Sequence, residues 1–113
     1  MGYPISSAVT LQTLAYTKTA NLITGRNQFL PKGIITIIAR GSAIGMNCSF
    51  MVGGVAIVDD LVIPYFGATG ALDASVHIVA TQAIAGGVAE FYLRNTTVGN
   101  LTTDHTVLFT PTK

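Results

Sequence analysis

Charge is scarce in this chain. Lysine, arginine, aspartate and glutamate together make up 10% of its 113 residues, against roughly a quarter in ordinary soluble domains. The net charge of +1 supplies no general attraction for nucleic acid or an anionic membrane. Tryptophan is absent, which removes the strongest platform for stacking sugars or bases. A single cysteine, Cys48, excludes an intrachain disulfide, and its place in an apolar run predicts a buried thiol rather than a reactive one. The stretch MGYPISSAV has no basic segment leading into an apolar one, so no secretion signal is read, and Pro4 spoils the myristoylation pattern that Gly2 and Ser6 would begin. No HExxH, CxxC, GxSxG, phosphate-loop or dinucleotide pattern occurs.

Hydrophobic residues, by contrast, make up 50% of the chain. The chain is long enough for one domain with a real core, spanning 1–113 with residues 1–7 as a loose arm. The few charges are unevenly spread. Residues 1–58 carry Lys18, Arg26, Lys32 and Arg40 and no acid, whereas the rest carries Asp59, Asp60, Asp73, Glu90 and Asp104 against Arg94 and Lys113. The charge-free run 41–58 raises a membrane-spanning helix, and Gly41 to Gly45 fits GxxxG. Gly53-Gly54 in the middle argues against it, because a glycine pair breaks a helix and suits a two-residue hairpin turn.

That hairpin organises the reading of MNCSFMVGGVAIVDD. A two-residue loop sets Val52 opposite Val55, pairs Phe50 with Ile57 on one face, and puts Met51–Ala56 and Ser49–Val58 on the other. Further strands are expected at 8–16, 34–40, 88–95 and 101–110, with a short one at 20–24 and the second hairpin arm running toward Pro64. Residues 74–85 fit a helix capped by Asp73 and Gly86, or a strand; their β-branched content favours the strand. The total is seven or eight strands with Gly, Pro and Asn between them, an all-β antiparallel sandwich.

The runs PKGIITIIAR, CSFMVGGV and GVAEFYLRN resemble the strands of small jelly-roll modules in phage and viral capsid, decoration and spike proteins, and more distantly the tumour necrosis factor-like group. The resemblance implies a self-assembling structural subunit of a virion and transfers no catalytic residue. It agrees with the composition, since Ile34, Thr36, Ile38, Met51, Ala56 and Val58 present uncharged surface opposite the expected core residues Ile35, Ile37, Phe50 and Ile57. These six are the expected oligomer interface. No enzyme, cofactor or metal site is expected: adjacent Asp104-His105 and Asp59-Asp60 point to opposite faces of a strand, and a His77–His105–carboxylate site needs help from neighbouring strands. Two other readings compete. A ligand- or carbohydrate-binding sandwich would use Tyr65, Phe66 and Asp73 in a glycine-bearing loop. Weak, non-specific nucleic-acid contact would run through Lys18, Arg26, Lys32 and Arg40.

Overall fold

The computed structural model describes residues 3–64 and 77–112, apart from the side chains of residues 9, 10 and 26. Among the described residues the strands are β1 (Tyr3–Thr13), β2 (Phe29–Leu30), β3 (Gly33–Gly41), β4 (Met46–Val52), β5 (Val55–Val62), β6 (Ile78–Ile84), β7 (Gly87–Asn95) and β8 (Leu101–Pro111). They form two four-stranded antiparallel sheets. Sheet I has the order β1-β8-β3-β6 and sheet II the order β2-β7-β4-β5. Apart from the β4–β5 hairpin, every step along the chain crosses from one sheet to the other. This is the strand order of a jelly roll, an all-β sandwich as the alternation implies.

Alternation decides the core. Ile35, Ile37 and Ala39 of β3, Phe50 of β4, Ala89, Phe91 and Leu93 of β7, and Val107 and Phe109 of β8 are buried in one cluster between the sheets. Burying a side chain of Leu, Ile, Val or Phe contributes about 1.5–3 kcal/mol, so this layer dominates stability. Gly33 is forced by the packing, because a Cβ there would lie 2.6 Å from the Phe109 ring.

The hairpin turn is as expected. Gly53 and Gly54 have φ of 60° and 81°, the type I′ arrangement, and Val52 pairs with Val55 and Met51 with Ala56. Beyond that the register slips. Phe50 pairs with Val58 rather than Ile57, and Cys48 with Leu61, so β5 carries extra residues at two bulges. Val58 is therefore in the core and not on an outer face.

The N-terminal residues depart further from expectation. Residues 3–7 are not a loose arm but the start of β1, which ends at Thr13 instead of running to 16. Pro4 is tolerated because β1 is an edge strand, Ile5 enters the core, and the Tyr3 ring meets Phe109 edge-on at 5.8 Å. No strand forms at 20–24. That segment instead runs irregularly along the open edge of β7, where Thr19 and Leu22 donate their backbone N–H to Leu93 and Phe91. Asn21 takes over part of the ladder's role by accepting from the backbone N–H of both Ile23 and Phe91. Within 74–85, residues 78–84 are strand; 74–76 lie outside the described residues. The run 41–58 is occupied by strands and a turn, and among the described residues no helix is long and apolar enough to cross a membrane.

Candidate functional site

The two outer faces of the sandwich are chemically unlike. On sheet I, the ladders pair Ile34 with Thr110 and Ala83, Thr36 with Leu108 and Thr81, and Ile38 with Thr106 and Ile78. Directly paired residues share a face, so these nine side chains make one surface without a charge. Ile34 is 37% exposed and Ile78 47%, while Thr36, Thr106, Leu108 and Thr110 are half-buried. Ile38, expected on this surface, does face outward from the core but is only 3% exposed. Among the described residues the charges bordering the face are Arg40 and Asp104, paired with each other across the ladder at 2.6 Å with the arginine buried. A charge-assisted bond of this kind is stronger than one between neutral groups.

Sheet II carries its charges outward. The β4–β7 ladder sets Asn47 against Arg94, Ser49 against Tyr92 and Met51 against Glu90. Arg94 donates through Nε to Asp60 at 2.9 Å and through a second nitrogen to the other carboxylate oxygen. This bond is the main reason the Asp60 carboxyl is held below its usual range and the guanidinium is raised. The Tyr92 hydroxyl donates to Glu90, which raises the phenol's pKa. Lys18 Nζ lies 4.2 Å from the centre of the Tyr92 ring, a cation–π contact. Lys18, Ser49, Asp59, Asp60, Tyr92 and Arg94 line an open groove of about 200 Å³.

Strand alternation alone would separate Asp59 from Asp60, yet both line this groove. The cause is the second bulge of β5. Asp60 takes φ of 52°, a left-handed conformation that aspartate tolerates better than most residues, and its backbone N–H donates to Ser49 Oγ at 2.9 Å. Within the groove Arg94 engages Asp60, Lys18 lies over the Tyr92 ring, and Ser49 Oγ accepts from the Asp60 backbone N–H. The one cysteine nearby, Cys48, points into the core, where burial first and Asp60 second push its thiol up to about 12.

The other expected site residues are dispersed. Met51 is half-buried and Ala56 exposed on sheet II, so with Val58 in the core the six expected interface residues divide between two faces and the interior. Lys18 belongs to the groove, Arg40 to the border of sheet I, and Lys32 to the exposed turn between β2 and β3. These cations therefore do not form one basic surface. The Arg26 side chain, and Tyr65, Phe66 and Asp73, lie outside the described residues.

Asp104 and His105 do take opposite faces, with Asp104 outside and His105 in the interior. His105 is 1% exposed. Its ring lies 5.3 Å from that of Phe91, and its Nε2 is 2.8 Å from Ser6 Oγ on β1. Nδ1 has no hydrogen-bond partner among the described residues. Burial lowers its pKa to about 4, with neighbouring Asp104 acting in the opposite direction. His77 is also buried, and its carbonyl accepts from the Ala39 backbone N–H. The chain matches no protein-family model, no curated protein and no solved structure.

Proposed function

We propose that this protein is a structural subunit that works by associating with copies of itself, as a component of a virion. The observation that carries this reading is the uncharged outer face of sheet I, with Ile34 and Ile78 open to solvent and their neighbours Thr36, Thr106, Leu108 and Thr110 half-buried. A sandwich has one interior layer, so Ile34 and Ile78, which the chain itself leaves open on this face, are covered only by a second molecule. A standard subunit contact buries about 800 Å² per partner. With over half of that apolar, at about 25 cal/mol per Å² the gross gain is well above 10 kcal/mol before the costs of association. The jelly-roll strand order agrees with the resemblance to small virion modules.

The sheet II groove favours a ligand-binding role less. Its aromatic ring, Tyr92, is covered by Lys18 on one side, and Arg94 is engaged by Asp60, so no open apolar platform faces a sugar ring.

Analytical ultracentrifugation of the wild-type chain at micromolar concentration tests the proposal. Concentration-dependent association is expected. Ile34→Lys, which sets a charge on the sheet I face, should weaken it, whereas Met51→Lys on the opposite sheet should leave it intact. A wild type that stays monomeric throughout would remove the proposal's basis.

A further inference from the structure

Among the described residues the sandwich has four edge strands, and three of them are blunted. β1 contains Pro4 and has register shifts on either side of residues 6–8. β2 is two residues long. β5 is bulged twice and carries Asp59 and Asp60, the latter in a left-handed conformation and tied to Arg94. Prolines, bulges, charges and short length are the means by which β proteins prevent edge-to-edge pairing. β6 has none of them over most of its length. Its sequence, Ile78–Ile84, contains no charge, proline or glycine. Its pairing with β3 is regular from Ala80 to Ile84, after a single shift near Ile78. Among the described residues, β3 is its only partner strand.

We infer that the open edge of β6 pairs antiparallel with β6 of a second copy, joining two sheets I into one eight-stranded sheet across a two-fold axis at Gln82. This rests on the self-association proposed above and adds an edge contact to the one made by the sheet I face. The regular stretch is self-complementary about that axis. Ala80 falls opposite Ile84, Thr81 opposite Ala83, and Gln82 opposite itself, where two side-chain amides donate and accept in turn. A contact that uses the same patch on both copies is the isologous kind that closes into a dimer. It also sets the two uncharged sheet I faces side by side as one larger surface, continuous through Thr81 and Ala83 to Thr36 and Ile34. Gln82 pairs with core residue Ile35 but is itself exposed at the sheet edge, so its side chain is available to a partner.

Two variants of the full chain test the contact. Gln82→Lys places like charges opposite each other at the axis, and the dimer should give way to species of half its mass at the same concentration, with an unchanged far-UV circular dichroism spectrum. Gln82→Cys should form a disulfide-linked dimer under mild oxidation, faster than Thr81→Cys, because only residue 82 meets its own copy. Cys48 does not compete, being buried. Retained association of Gln82→Lys together with no cross-link at residue 82 overturns the β6 contact while leaving self-association standing. A wild type that is monomeric throughout overturns both.

Discussion

His105 couples the stability of the fold to pH. Its folded pKa of about 4 lies below the ordinary value of 6.5, so the native state holds it neutral where the unfolded chain binds a proton. Stability is therefore complete above about pH 6.5 and declines as pH falls toward 4, by on the order of 3 kcal/mol in all. Urea unfolding at about pH 7.5 and about pH 4.5 should show this loss, and His105→Gln should flatten it. Asp60 acts in a separate window. Its folded pKa is depressed below 3.8, so its contribution is present above that value and disappears at more acid pH. The alternation in LTTDHTVLFT already divides Asp104 from His105. It does not reveal that His105 meets Ser6, 99 residues away in sequence, because that depends on which strands pair. Nor does it show Asp59 and Asp60 in one groove, since a bulge suspends the very alternation on which the reading depends.

The β4–β5 hairpin is the element most plainly written in the residues, since positive φ at two successive positions is a local demand that glycine meets. A Cβ at Gly53 or Gly54 would touch nothing within 4 Å, so any loss on substitution comes from the backbone alone. Replacing both by valine should destabilise by several times the roughly 1 kcal/mol of a typical point change, and Gly53→Asn by much less. Equal denaturant midpoints for the valine double variant and wild type would mean that the turn has another geometry. Three elements escaped a reading by pattern, each for a physical reason. β2 has two residues, too few for any periodicity to register. The start of β1 is hidden by Pro4, which signals a break but is harmless at a sheet edge. The bulges of β5 have no compositional mark beyond two aspartates in an apolar strand.

For the molecule as a whole, the division into an uncharged face on sheet I and a charged groove on sheet II makes a prediction about salt. Association through sheet I should change little when ionic strength rises from about 0.05 to about 0.5 M, since among the described residues the charges beside that face are Arg40 and Asp104, which are paired with each other. Association through the Lys18–Asp60–Arg94 surface would change markedly over that range, so sedimentation at two salt concentrations identifies the face in use. The all-β class and the strand count follow from turn residues and alternation. Strand order does not, because alternation names the buried face of each strand and not its neighbour. That order has a consequence for synthesis. Of the two inner strands of sheet I, β8 is the later in chain order, and it lies between β1 and β3. During translation, β1 and β3 leave the ribosome long before the strand that joins them, and β1 waits without its partner while nearly the whole sandwich is made. The nascent chain thus exposes two strands primed for pairing, and what closes them off is the arrival of residues 101–111.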